Sequence, residues 1–203
     1  MLNHENKAFT CDQIDKIGNT IIYLSKHIPE LNKTKILKFL FILEESSIKK
    51  YGKPFFGIDF QLWKYGPVAK DIYIDLTSSI PTDSPNLLKD YIDRHPDNSE
   101  QFVAKKQFID DEFSDNDIAL LDQVIEFAKD KNASYLVQQT HGSNSLWRQS
   151  ALKYGVLELL ENELVNSTDY IIDFSLLFQE DSIDLQHYLE CKENLSFSCH
   201  LKY

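Results

Sequence analysis

Trp63-Lys64-Tyr65-Gly66-Pro67-Val68-Ala69-Lys70-Asp71-Ile72-Tyr73 joins two kinds of sequence. Before it, Phe56, Ile58, Phe60 and Leu62 alternate with smaller or polar residues, the period of a strand, which is expected from Phe55 to Trp63. After it, Ile72 and Tyr73 begin a short helix expected to reach Thr77. Gly66 accepts backbone angles closed to other residues. Pro67 suits the first turn of a helix, where its missing N–H costs nothing. The pair therefore reads as a stiff strand-to-helix corner. Aromatic rings gathered at such a corner, here Trp63, Tyr65 and Tyr73, serve either as a core nucleus or as a recognition surface.

Upstream of the corner, Ile36-Leu37-Lys38-Phe39-Leu40-Phe41-Ile42-Leu43 is apolar almost all round. Its charged flanks carry the pattern past strand length, with Asn32 placed as N-cap and Gly52 as C-terminal stop, so a central buried helix is expected. Further back, Thr10 and Gln13 form a capping-box pattern ahead of Ile14, Ile17, Ile21, Leu24 and Ile28, predicting a helix from about Cys11 to His27 that ends before Pro29.

Downstream, Ser78 to Pro85 reads as a loop, Leu87 to Arg94 as a short helix closed by Pro96, and Phe102 to Phe108 as a second strand. That strand is expected to pair with the first, because a lone strand leaves its backbone groups unpaired. Ser114 and Asp117 open a helix through Ala128, Ser134 caps another that Gly142 closes, and Leu146, Trp147 and Ala151 form a short helical stretch. Val156 to Leu164 is a further helix. Asp169 to Phe178 begins as a third short strand, and Ile183 to Glu193 is a final helix before a loose tail. The expected fold is mainly α with a small antiparallel β-sheet (α+β), a compact helical domain with a β-hairpin or three short strands. The expected division is a disordered 1–10, a domain over 11–165, and a C-terminal extension over 166–203 packed on the same domain.

The chain has 32 acidic and 21 basic residues among 203, a net charge of -11. That balance argues against nucleic-acid binding, which needs clustered Lys and Arg, and favours either a basic protein partner or solubility alone. Three widely spaced cysteines do not describe a disulfide framework and fit a reducing cytoplasm. The first ten residues are polar, and no apolar run approaches the roughly 20 residues that span a bilayer, so no membrane association is expected.

A search for chemistry returns little. Six glycines occur, never in the spacing of a phosphate-cradling loop, and no cofactor is expected. Cys191, Cys199 and His200 lack the tight spacing of a zinc site, and the acidic run Asp110 to Asp117 lacks the glycine and distal Glu of a calcium loop, so no metal is expected either. Those carboxylates fit the start of a helix, whose dipole favours negative charge. His141, at a helix end, reads as bonding backbone carbonyls; as a general base it has no assignable nucleophile beside it.

Two ordered signatures then stand out. The first is Trp63-Lys64-Tyr65-Gly66-Pro67-Val68 followed by Ile72-Tyr73, preceded by Ile17, Ile22, Tyr23, Leu37, Lys38, Leu40 and Tyr51-Gly52-Lys53-Pro54. The second is Ser134, Leu136, Thr140-His141, Leu146-Trp147 and Ala151. Together they resemble the Panacea domain family, also called SocA-like or phage-associated-protein-like antitoxin domains, over roughly Gln13 to Leu160. Leu146 stands where the family often has Pro, and nothing after Ser167 matches. The resemblance implies a non-catalytic antitoxin that neutralises a cognate toxin by direct contact. It marks Trp63, Tyr65, Gly66, Pro67, Tyr73, His141 and Trp147 as motif core or partner-binding surface. Alternatives left open are an adaptor presenting a partner to a protease, a phage-defence protein whose ligand is a phage protein, and a small hydrolase using His141.

Overall fold

Two helices open the chain, Cys11–His27 (α1) and Lys33–Tyr51 (α2), and the remaining elements are assembled on α2. The computed structural model describes residues 9–78 and 86–201, with side chains as far as 195. Thr10 caps α1 in a capping box with Gln13, and Asn32 caps α2 through the Lys35 N–H. Gly52, at φ 64, ends α2 in the left-handed conformation that favours glycine. Ile36, Phe39, Leu40, Phe41, Leu43 and Ile48 of α2 are wholly buried, as a helix apolar all round requires.

The expected strand from Phe55 is much shorter, and side chains explain why. The buried Glu44 carboxylate of α2 accepts the N–H groups of Phe55, Phe56 and Gly57 at 2.7–3.2 Å. The Gln13 amide donates to the carbonyls of Phe56 and Gly57 at 3.1 Å. With these backbone groups already satisfied, the ladder begins only at Gln61–Trp63 (β1). Lys64 and Tyr65 form a two-residue turn into Gly66–Val68 (β2), with Trp63 opposite Gly66 and Leu62 opposite Pro67. Pro67 therefore lies in an edge strand, which tolerates a missing N–H. It does not occupy the first turn of the following helix, Lys70–Thr77 (α3).

The next expectation also changes. Leu87 to Arg94 is no helix: the Asp75 carboxylate takes the N–H groups of Leu87 and Leu88, one turn forms, and the chain enters a second hairpin, Ile92–His95 (β3) and Asn98–Ala104 (β4). β4 pairs with β3 rather than with β1. It docks on the start of α2 through Phe102 N–H to the Leu31 carbonyl at 2.8 Å and a bridge between Asn32 and Gln101. Gly18 of α1 lets the Tyr91 ring lie against the helix backbone, where its hydroxyl donates to Asp15.

Asp115–Ala128 (α4) carries the expected Ser114–Asp117 capping box. Ala133–His141 (α5) is capped by Asn132 rather than Ser134 and is followed by Leu146–Lys153 (α6). Leu157–Glu161 (α7) is shorter than the sequence suggests, stopping at a turn where Glu163 takes φ 60. Ser167–Ile171 (β5) is the third strand, antiparallel to β1, giving the order β2-β1-β5. A 3-10 turn at Phe174–Leu177 leads to Ile183–Leu201 (α8), which runs past the expected end at Glu193 into the segment read as a loose tail. Ile172, Phe174 and Tyr188 join the core formed by α1, α2 and α4. The fold is α+β, mainly helical with small antiparallel sheets. The disorder expected over 1–10 and the loop expected over 78–85 lie outside the described residues, apart from Phe9, Thr10 and Ser78. Among the described residues no helix is long and apolar enough to cross a membrane.

Candidate functional site

The β1–β2 hairpin is clamped from two sides. From α2, the Lys38 ammonium donates to the Pro67 carbonyl at 3.1 Å, and the whole side chain is buried. Gly66 has φ 99, and a Cβ there would stand 2.9 Å from Lys38 Nζ and 3.3 Å from Thr140 Oγ1. The close approach of α2 and α5 to the hairpin thus requires glycine twice over, by conformation and by space. From the other side, Trp147 of α6 is wholly buried and its indole N–H donates to the Trp63 carbonyl at 2.9 Å. The His141 ring lies on the Trp147 ring with centroids 3.8 Å apart and is hydrogen-bonded to the Lys64 backbone.

The two signatures, separated by some 60 residues of chain, therefore meet on one hairpin. Gly66, Pro67 and Trp147 are buried in the clamp, and His141 is half-buried beside it. Trp63 packs edge-to-face on Tyr73 at 4.8 Å, and Lys33 covers the Tyr73 ring from 4.7 Å. Tyr73 belongs to this packing. Tyr65, at the tip of the turn, is 65% exposed and is the one member of the set presented to solvent.

Burial pushes the Lys38 amine down to about 7, since a single carbonyl does not replace its lost hydration. His141 is also lowered, first by burial and then by the Lys38 charge, against the opposing pull of Glu161 and of the Lys64 backbone. Burial thus shifts both groups toward their neutral forms. Their hydrogen bonds run to the hairpin backbone, so they act as a mount for Lys64–Pro67.

Lys38 is the residue whose place in the clamp sequence reasoning missed. The signal was a lone lysine inside a run otherwise apolar on every face. Glu44, six residues on in the charged flank of that run, is also buried; burial raises it to about 7 despite its three N–H donors. Elsewhere, Cys191 Sγ stands 3.8 Å from His187 Nε2, and the described residues hold no group of three His, Cys, Asp or Glu placed to bind a metal. Asp117, within the acidic run, is a buried capping residue bonded to Lys16 at 3.0 Å.

The fold and the clamp define an α+β domain whose two signatures converge on a hairpin mount. The chain belongs to the antitoxin SocA-like, Panacea domain family, whose model matches residues 36–148. The match begins in α2 and ends in α6, so α1 and everything after Arg148 lie outside it. No curated protein and no solved structure matches the chain significantly.

Proposed function

We propose that this protein is an antitoxin that neutralises a cognate toxin by direct protein–protein binding, without catalysis, in the bacterial cytoplasm. The observation that carries the reading is family membership across α2 to α6. Two features support it. The titratable groups of the signature cluster, Lys38 and His141, are directed at the hairpin backbone. The net charge of -11 suits attraction to a toxin whose substrate site is basic.

The test is affinity capture of the tagged full chain from its native host at low salt, followed by expression of each captured protein alone and with this chain. One stoichiometric protein, toxic alone and harmless in company, is the expected result. A protease recovered with substoichiometric clients would replace the reading with an adaptor. A pure monomer that rescues nothing would overturn it.

A further inference from the structure

We infer that the signature hairpin is a proton-linked latch: Lys38 and His141 hold the turn at Lys64–Pro67 most firmly when uncharged, and proton uptake there loosens the turn that carries Tyr65. The latch is a property of the clamp and holds whatever partner the protein binds.

The hairpin is the cover over the Lys38 amine. Lys38 is 3% exposed, its Nζ reaches the Pro67 carbonyl at 3.1 Å, and Gly66 passes so close that a Cβ there would meet Nζ at 2.9 Å. Among the described residues no carboxylate is paired with it, and burial accounts for its lowering. His141 comes from α5, bonds the Lys64 backbone and lies on the Trp147 ring. Charges face it from three helices. Lys38 of α2 and Arg148 of α6 oppose its protonation, and Glu161 of α7 favours it. Glu161 is already paired with Arg148, so one shared carboxylate faces Arg148 and a charged imidazole together. A closed hairpin with Lys38 and His141 both protonated therefore buries two like charges, each bonded to the hairpin backbone and neither paired with an acid of its own. Lifting the turn returns both groups to water.

The sign follows from the two states. With the turn closed Lys38 titrates near 7, and in water it returns to 10.5. Opening thus takes up a proton between those values, and each unit of falling pH in that window favours the open turn by up to about tenfold. Below about 7 Lys38 is charged in both states and contributes no further slope. His141 is held below its ordinary 6.5, so a second window lies under 6.5 and acts in the same direction. The other charged groups nearby stand outside the latch. Glu44 bonds the N–H groups of Phe55, Phe56 and Gly57 rather than the turn, and the Lys64 ammonium points away from the clamp to Glu163. Tyr65, 65% exposed at the tip, has no such anchor of its own in the core, so its placement depends on how firmly the turn is held.

The test is amide hydrogen exchange of the full chain between about pH 6 and about pH 9, corrected for intrinsic rates. Protection over Lys64–Val68 should lie below that of α4, the mark of a local opening, and should rise about five- to tenfold per pH unit between roughly 7 and 9. Lys38→Met should flatten that rise. His141→Gln should remove the further loss of protection below about 6.5 and leave the upper window intact. Protection of the hairpin equal to that of α4 at every pH would mean that the turn opens only with the whole fold, and overturns the latch. A slope that survives Lys38→Met, or a hairpin whose protection is flat in pH, overturns it too. A second measurement needs no variant: the Lys38 side-chain carbon resonance of the wild-type chain, followed through the same range and beyond. Titration near 7 supports the latch, and titration near 10.5 overturns it.

Discussion

Lys38 and Glu44 sit on one buried helix and titrate in opposite senses. The Lys38 amine falls from its ordinary 10.5 to about 7 on folding, so the folded state prefers it neutral. Its burden on stability is complete below about 7 and is relieved as pH rises from there toward 10.5. Glu44 rises from 4.5 to about 7, so the folded state prefers it protonated, and the stability this brings is present below 4.5 and lost as pH rises through about 7. The two effects add to a trough near neutrality. Lys38→Met should be more stable than wild type at pH 7, on the order of 2 kcal/mol after allowance for the orphaned Pro67 carbonyl. That advantage should shrink between pH 7 and pH 10, by up to about 1.4 kcal/mol per pH unit, in urea unfolding followed by circular dichroism. An advantage independent of pH would show that the amine is charged in the folded protein. Lys38 was visible as a charge inside an apolar run and Glu44 as one of its charged flanks, but periodicity says only that such a helix is buried. It does not say which carbonyl or N–H a buried charge will find.

The elements that the sequence defined well, α1, α2 and α4, carry their own caps: Thr10 with Gln13, Asn32 with Gly52, and Ser114 with Asp117. A cap is a contact within a few residues, so it can be read locally. The elements misjudged were those whose backbone is satisfied from afar. Glu44 and Gln13 prevent a strand at Phe55–Gly57, and Asp75 diverts Leu87–Leu88 from a longer helix. The hairpin mount belongs to the same class, because its decisive bond spans Trp63 and Trp147. Trp147→Phe keeps an aromatic ring in the core but removes the indole N–H that the Trp63 carbonyl accepts, at a cost of about 1 kcal/mol. Amide hydrogen exchange over Lys64–Val68 should quicken in this variant more than exchange in α1. Equal changes in both would mean that the bond serves global stability and not the hairpin.

Across the whole molecule, charge is distributed unevenly. The segment after α6 holds most of the net negative charge, and it closes the sheet through β5 and the core through Ile172, Phe174 and Tyr188. Concentrated like charge opposes compaction, and salt screens it. Raising NaCl from about 20 to about 300 mM should therefore raise Tm by a few degrees. A falling Tm would mean that the ion pairs of this segment outweigh its self-repulsion. The composition made the sign of the charge plain, and the two signatures made the family legible. The Lys64–Glu163 pair that ties the hairpin to the turn after α7 was not legible, since it joins residues about a hundred apart in the chain.

The strand order β2-β1-β5 also governs how the chain is made. β1 gains its first neighbour within five residues, whereas its second is not synthesised until residue 171. At about 5–20 residues per second, ribosomal synthesis leaves that edge of Gln61–Trp63 open for on the order of 5–20 s. A chain cut before Ser167 keeps it open permanently, as an unpaired edge available to other strands. Loss of the segment from Ser167 onward would thus turn a short-lived assembly intermediate into a lasting one, and would tie the lifetime of the protein to the integrity of that segment.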